Sequence, residues 1–146
     1  MNIEISSIKN EHIPYLVKIE EESFSTPFKE KDFEEIINSG ISSALVATLD
    51  GDPVGHISYT VILDECQIIN VAVSSNMRGQ GIGSFIMEHF IKNMKDLGVC
   101  KVFLEVRASN SCAIGLYEKM GFFSVGTSKN HFSLPTEDAI LMNLEL

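Results

Sequence analysis

The sequence predicts a mixed α/β fold, in which helices flank one sheet. Residues 43–73 hold three apolar runs separated by short turns, which is typical of neighbouring strands. Residues 82–97 repeat apolar side chains at steps of three and four, which is typical of an amphipathic helix. The second half of the chain then follows the order strand, helix, strand, helix, strand.

The first forty residues predict a strand and two short helices. Residues 2–8 alternate weakly between apolar and polar side chains, as an edge strand does. Residues 11–22 place apolar side chains and Glu20 at helical spacing, with Pro14 in the first turn, where proline is tolerated. A Ser-Thr-Pro break precedes a second helix over residues 29–38.

The middle of the chain predicts an antiparallel hairpin and a central strand. Residues 43–49 and 54–62 are apolar runs joined by a turn, Asp50-Gly51-Asp52-Pro53. The run over residues 65–73 is apolar on both faces, which favours a place inside the sheet.

The second half predicts the elements that surround the candidate site. In the strand over residues 101–107, Val102, Leu104 and Val106 share one face, so Glu105 lies on the other. A short helix begins at Ser109 or Asn110 and ends at Met120. Two further strands are expected over 122–127 and 138–145.

The length and composition predict one globular domain over residues 1–146. Hydrophobic residues make up 45% and charged residues 21%, which excludes a disordered chain. No apolar run approaches the roughly 18 residues that span a bilayer, so no membrane association is expected. The N-terminal residues lack the features of a signal peptide, so a cytoplasmic location is expected.

The charge argues against nucleic acid as the main ligand. Eleven basic and twenty acidic residues give a net charge of −9, which phosphate backbones repel. A basic substrate or partner fits this charge better.

The cysteines and histidines predict no metal site. Cys66, Cys100 and Cys112 form no pair with zinc-ligand spacing, and we expect free, mostly buried thiols. No base adjoins Cys112 in sequence, which argues against a nucleophilic cysteine. His89 lies on the apolar side of the long helix, so we expect it to be packed.

The segment Arg78-Gly79-Gln80-Gly81-Ile82-Gly83 joins a buried strand to the long helix. Glycines allow a tight turn and close approach to a ligand, and a helix start offers free N–H groups to a phosphate. A plain glycine-rich turn is the alternative. The segment has neither the lysine of a Walker loop nor the glycine spacing of a Rossmann fingerprint.

Arg78, Gly81 and Gly83 fit the R/Q-x-x-G-x-G/A signature of the GNAT acetyltransferases. The segments over residues 104–110 (LEVRASN) and 116–122 (LYEKMGF) resemble later elements of the same family. The chain is therefore similar to GNAT enzymes over nearly its whole length, and most similar to bacterial ribosomal-protein alanine N-acetyltransferases.

This resemblance implies a twisted, mostly antiparallel sheet with acetyl-CoA held where the fourth and fifth strands splay apart. The loop amides would hold the pyrophosphate and the fourth strand would pair with the pantetheine arm. The implied cofactor-binding residues are Val71, Ala72, Val73, Arg78, Gly79, Gln80, Gly81, Ile82, Gly83, Ser84, Asn110 and Tyr117.

The resemblance also implies two catalytic residues for direct attack of an amine on the thioester. Glu105 would be the general base and Tyr117 the general acid, with the amide near Val71 polarising the carbonyl. Each has a plain structural alternative: Glu105 in a salt bridge, for example with Arg107, and Tyr117 as a core residue.

The implied acceptor is a protein N-terminal α-amine, such as that of a basic ribosomal protein. A lysine side chain, a small amine, and a non-catalytic acyl-CoA-binding module are the alternatives, and the protein is expected to be a monomer or weak homodimer. Two departures bear on the acceptor. Asn130-His131-Phe132 replaces the subfamily's Tyr-Tyr pair, and Pro27-Phe28 replaces its Pro-Trp.

Overall fold

The computed structural model describes residues 2–146. Short 3-10 turns at Asn10–His12 and Ser75–Met77 precede the first and third helices. The strands are β1 (Ile3–Ser7), β2 (Ser42–Leu49), β3 (Asp52–Ile62), β4 (Glu65–Val73), β5 (Lys101–Arg107), β6 (Phe123–Phe132) and β7 (Glu137–Glu145), and the helices are α1 (Ile13–Ser23), α2 (Glu30–Asn38), α3 (Ile82–Asp96) and α4 (Ser111–Lys119).

The seven strands form one sheet in the order β1-β2-β3-β4-β5-β7-β6. Neighbouring strands are antiparallel except β4 and β5, which run parallel. The predicted mixed fold, the edge position of β1 and the central position of β4 are confirmed.

The centre of the sheet opens between β4 and β5. These strands pair only over Glu65–Gln67 and Lys101–Phe103, and beyond that point no ladder joins them. On its other side β4 carries a bulge, because Ser58 pairs with Asn70 while Tyr59 pairs with Ile68, which leaves Ile69 unpaired. A bulge bends its strand and increases the local twist. The candidate site lies at this local break in the sheet, between β4 and β5.

The two faces of the sheet carry different helices. α3 packs on one face through Ile82, Ile86, Met87, Phe90 and Met94, all buried, together with Tyr117 of α4. α1 and α2 cover the other face through Ile13, Leu16, Ile19 and Phe33, against Val46 and Ala72. On α1, the face that carries these apolar residues also includes Glu20, which is fully buried.

Several element bounds and burial predictions need correction. The turn before β3 is shorter than predicted, because Asp50 and Gly51 both take positive φ and β3 already begins at Asp52. β6 extends to Phe132 rather than ending near residue 127.

Three side chains predicted as buried lie at the surface. Only Cys66 is a buried thiol, whereas Cys100 and Cys112 are exposed. His89 is also exposed, because it lies beside the apolar stripe of α3 and not within it. Its ring lies near that of Phe85. No helix among residues 2–146 has the length and apolar character needed to cross a membrane.

Candidate active site

A cleft of about 230 Å³ lies where β4 and β5 diverge. β4 contributes Ile69, Asn70 and Val71 to its walls, and β5 contributes Glu105, Val106 and Arg107. The remaining walls come from α1 and the loop after it, from α4 and from the end of β6: Ser23, Phe24, Ser25, Thr26, Asn110, Ala113, Tyr117 and Phe132. Glu105 and Tyr117 thus line one cavity, although the sequence separates them by a turn and a helix.

The glycine-rich loop lies at the start of α3. Gly79 and Gly81 take φ values of 77° and 80°, which only glycine adopts readily. Gly81 is the residue before the helix, so the amides of Ile82, Gly83 and Ser84 have no carbonyl partner within α3. This loop can therefore present backbone N–H groups and the positive end of the helix dipole to a phosphate.

Arg78 contacts protein rather than the open side of this loop. Its Nε donates to the carbonyl of Val73 at 3.2 Å, and its Nη2 donates to Ser23 Oγ at 3.0 Å. The side chain thus ties the end of β4 to the end of α1. Lys119 of α4 supplies a second cation nearby, with Nζ 3.4 Å from Ser84 Oγ.

The other predicted cofactor residues divide into backbone and side-chain contributors. Ala72 and Ile82 are buried in opposite cores, so they can offer a ligand only their main chain. Val71 and Val73 lie on the part of β4 that has no β5 partner. Asn110 caps α4, where its Oδ1 accepts from the Ala113 amide at 3.2 Å, and it also lines the cleft.

Tyr117 points into the cleft from α4 and is otherwise enclosed. Its ring lies 5.6 Å from that of Phe122, and the side chain is buried. Burial raises the pKa of Tyr117 to about 12, because the phenolate would lose its hydration. The hydroxyl is thus a stable proton donor at neutral pH.

Glu105 lies on the face of β5 opposite Val102, Leu104 and Val106, as predicted, and it is exposed. Its partner is not Arg107. Glu105 Oε2 lies 2.6 Å from Nε2 of His131, and the two side chains are 36% and 32% exposed. His131 reaches this place from the bulged part of β6, between Ser128 and Phe132.

Arg107 joins the loops on either side of the cleft. Its guanidinium donates to the carbonyls of Ser133 and Pro135 at 2.8 and 2.9 Å, and reaches Ser25 Oγ at 3.3 Å. It also pairs with Glu137 at 3.3 Å and lies over the Phe132 ring. One side chain therefore connects the α1–α2 loop to the β6–β7 loop.

Glu137 completes this arrangement. Its Oε2 accepts from the Ser109 amide at 2.6 Å. The hydrogen bonds from Ser109, with help from the Arg107 guanidinium, hold the pKa of this carboxyl below its usual value.

A buried polar network supports the β4 wall. Glu20 Oε1 accepts from the Phe28 amide at 2.8 Å and from Asn70 Nδ2 at 2.9 Å. Glu20 Oε2 lies 2.8 Å from His56 Nε2, and His56 Nδ1 lies 3.0 Å from Ser58 Oγ. Glu20 and His56 are both fully buried, so solvent cannot replace the hydrogen bond between them if either partner is removed.

A second cavity of about 350 Å³ adjoins the cleft through Ile69, which lines both. Asp32 and Glu35 of α2 contribute its carboxylates. Among residues 2–146, no group of three His, Cys, Asp or Glu side chains is arranged to hold a metal ion.

Sequence reasoning missed Asn70, Glu20, His56 and Lys119 as parts of this region. Glu20 gave one usable signal, which is its position on the apolar side of its helix. A charged residue in such a place is buried only when it has a polar partner. The sequence alone gave no way to find that partner, since His56 and Asn70 lie more than thirty residues away.

Comparison with known proteins agrees with this geometry. Residues 13–122 match the model of the acetyltransferase (GNAT) family. The chain belongs to the GNAT acetyltransferase family. It is an acetyltransferase by this membership, and its mixed sheet flanked by helices matches the fold of the family.

Individual GNAT relatives are similar over almost the full length. The [ribosomal protein bS18]-alanine N-acetyltransferase of Escherichia coli K12 is 34% identical, with 97% of each chain covered. A putative enzyme of the same name from Bacillus subtilis is 31% identical, covering 94% of this chain and 92% of that one. The crystal structure of the E. coli ribosomal-protein-S18-alanine N-acetyltransferase superposes with a TM-score of 0.91 at 33% identity, over 99% and 94% of the two chains.

Proposed function

We propose that this acetyltransferase moves the acetyl group of acetyl-CoA to the N-terminal α-amine of a protein. The observation that carries the proposal is the pair of groups that line one cleft from opposite faces of the sheet, Glu105 on the α1–α2 face and the buried Tyr117 of α4 on the α3 face. The names of the E. coli and B. subtilis relatives support the α-amine as acceptor.

Acetyl-CoA would be bound mainly by main-chain groups. The free amides of Ile82, Gly83 and Ser84 suit the pyrophosphate. The unpaired edge of β4 beyond Gln67 suits the pantetheine arm, which would pair with it as an added strand. The thioester then lies near Val71, whose amide can polarise the carbonyl.

The reaction takes two protons from the ammonium, of which one ends on the thiol of CoA and the other in solvent. The amine nitrogen bonds to the thioester carbon as the carbon–sulfur bond breaks, and the nitrogen loses two protons relative to the ammonium. Glu105 takes one, and Tyr117 gives a proton to the departing thiolate. The other proton of the nitrogen returns to the phenolate of Tyr117 by way of water, and the carboxyl of Glu105 releases its proton to solvent.

An α-amine is the acceptor that a carboxylate base serves best. Its reference pKa is about 7.7–8.0, against about 10.4 for lysine. At pH 7 roughly 10% of α-amines are neutral, compared with about 0.04% of lysines. The net charge of −9 further favours a basic protein N-terminus.

A matched pair of peptides tests the proposal. One begins with a free alanine followed by basic residues, and its twin has a blocked N-terminus and internal lysines. After incubation with acetyl-CoA, we expect intact mass to show one added acetyl group on the free peptide only. Acetylation of the blocked twin would instead assign a lysine acceptor. Transfer to neither would point to a small amine or to a binding module without catalysis.

We also propose that the protein acts in the cytoplasm as a monomer or weak homodimer, without direct binding to nucleic acid or membrane. The net charge of −9 supports the absence of nucleic-acid binding. Light scattering at several protein concentrations would test the oligomeric state.

A further inference from the structure

We infer that Asn70 binds the acceptor amine, through its side-chain carbonyl, opposite Glu105. This inference rests on the proposed function, because it concerns how the same cleft holds the amine that is acetylated. Nothing in the family signature points to Asn70, which lies on β4 outside the glycine-rich loop.

Glu20 fixes which way the Asn70 amide faces. Asn70 Nδ2 donates to Glu20 Oε1 at 2.9 Å, and this oxygen is an acceptor because it also accepts from the Phe28 amide. The NH₂ group must therefore be the end that meets Glu20, and the carbonyl oxygen points away from it. Glu20 is itself fixed, because it is fully buried and bonded to the Phe28 amide and to His56.

The carbonyl of Asn70 is available to a ligand. Asn70 is half-buried and lines the cleft. Within residues 2–146, no protein donor is bonded to its Oδ1. A hydrogen-bond acceptor that is held in place and has no protein donor suits a ligand N–H group, because the side chain loses no conformational entropy when the ligand binds.

Asn70 and Glu105 lie on the same face of the sheet. Asn70 contacts α1 through Glu20, and Glu105 lies opposite the β5 side chains that pack toward α3. The two residues come from the two strands that diverge, so they form opposite walls of the cleft on its α1–α2 side. Tyr117 of α4 belongs to the other face, where it packs in the same core as α3.

This placement matches the donors of a primary ammonium. Such a group has three N–H donors, of which Glu105 removes one. A second donor can bond to Asn70 Oδ1, which would hold the nitrogen so that its lone pair, once freed, faces the thioester. An acylated amine keeps only one N–H and has no ammonium proton to give up, so the same pair favours a free amine over an acylated one.

The test replaces Asn70 with alanine and measures two quantities separately, kcat/KM for the acceptor and the affinity for acetyl-CoA. Asn70→Ala leaves Glu20 bonded to the Phe28 amide and His56, so the fold keeps its buried pair. We expect kcat/KM for the acceptor to fall at least about tenfold, since hydrogen bonds to charged groups are among the stronger ones. Acetyl-CoA affinity by calorimetry should stay within about twofold. Asn38→Ala, an exposed change at the end of α2, is the matched control and should match wild type.

Two results would overturn the inference. One is a kcat/KM for the acceptor that is the same in Asn70→Ala as in wild type. The other is a loss of acetyl-CoA affinity as large as the loss of acceptor kcat/KM. The wild-type assay separates this from the proposed function. If wild type acetylates only the lysine peptide, the α-amine proposal fails, and the same comparison on that peptide still tests Asn70. If wild type acetylates neither peptide, both proposals fail.

Discussion

The glycine-rich loop, which we propose binds the cofactor (the cofactor side), and the cleft, which we propose binds the acceptor (the acceptor side), are built in different ways. The cofactor side rests on one short segment, in which Gly79 and Gly81 turn the chain and α3 begins with free amides. The acceptor side is assembled from α1, the loop after it, β4, β5 and the bulged end of β6. Its polar side chains are held by partners distant in sequence, such as Glu20 with Asn70 and Arg107 with Ser133.

This difference has a functional meaning. A main-chain site for pyrophosphate depends on backbone shape and tolerates changes in side chains elsewhere. An acceptor site built from long-range polar contacts can change with single substitutions while the fold stays the same. We therefore expect mutations to separate cofactor binding from acceptor choice, and the following variants test that separation in order of expected effect.

Gly81→Glu should have the largest effect and act on the cofactor side alone. Gly81 has a φ of 80°, which strains any other residue, and a carboxylate there would face the pyrophosphate. Beyond the adjacent residues of the chain, no neighbour lies within 4 Å of its Cβ position, so the change meets strain and charge rather than a clash. We expect the acetyl-CoA Kd to rise by about 100-fold or more in calorimetry.

Gly40→Glu is the matched control for this variant. It adds the same charge at a glycine that also has open space, but without a positive φ. Near-normal affinity in Gly81→Glu would mean that the pyrophosphate lies elsewhere.

Tyr117→Phe should separate chemistry from binding. Loss of the phenolic proton donor should lower kcat by about 100-fold, a common magnitude for a general acid. The acetyl-CoA Kd should hardly change, because the ring still fills its place against Phe122. Tyr15→Phe, on an exposed tyrosine, controls for the substitution itself. An unchanged kcat in Tyr117→Phe would remove the acid assignment.

Arg107→Met should weaken the acceptor side only. Without the guanidinium, Ser25 and the carbonyls of Ser133 and Pro135 lose their common partner. We expect the acceptor KM to rise by about tenfold and acetyl-CoA affinity to stay constant. Lys95→Met, on the exposed end of α3, is the control. Equal losses for both substrates would show that the two sides are coupled through Arg107.

The pKa of Tyr117 predicts an alkaline effect of smaller size. Its value rises from 10.0 to about 12, so the folded protein keeps this proton between those two pH values while the unfolded chain loses it. Stability therefore falls as pH rises through that range. Urea unfolding of wild type and Tyr117→Phe should show a steeper fall for wild type. Parallel curves would contradict the assignment of a buried phenol.

Glu137 predicts the smallest effect, at acid pH. Its carboxyl has a lowered pKa in the folded protein, so it stabilises the fold above its usual value of 4.5, and this contribution disappears as pH falls through the lowered value. Wild type should be more stable than Glu137→Gln at pH 6 and lose that advantage as pH falls through the lowered pKa. A constant difference between the two proteins would show that the carboxylate charge is irrelevant.

The fold and the cofactor side could be predicted because their signals are local. The helical spacing of residues 82–97 and the glycines of residues 79–83 each lie within one element, and the structure bears out the predicted sheet and helices. The end of β6 could not be predicted, because residues 129–131 form a bulge opposite Asp138. The bulge breaks the alternation of inward and outward side chains along the strand.

The acceptor side could be predicted only in part. Alternation along β5 placed Glu105 on the correct face, yet its neighbour His131 comes from a bulge that no short pattern reveals. The roles of Glu105 and Tyr117 stay predictions until the variants are measured. Cys100 and Cys112 show the opposite error, in which residue type was taken to indicate burial, although both lie at the ends of elements and are exposed. His89 was placed on the apolar side of α3, yet it lies beside the buried stripe and is exposed.

The most direct test is a crystal structure with CoA covalently joined to the N-terminal nitrogen of an alanine peptide. The account predicts the pyrophosphate on the amides of residues 82–84, and the peptide nitrogen between Asn70 and Glu105 on the α1–α2 face of the sheet. A pyrophosphate away from those amides, or a peptide entering from the α3 face, would contradict it.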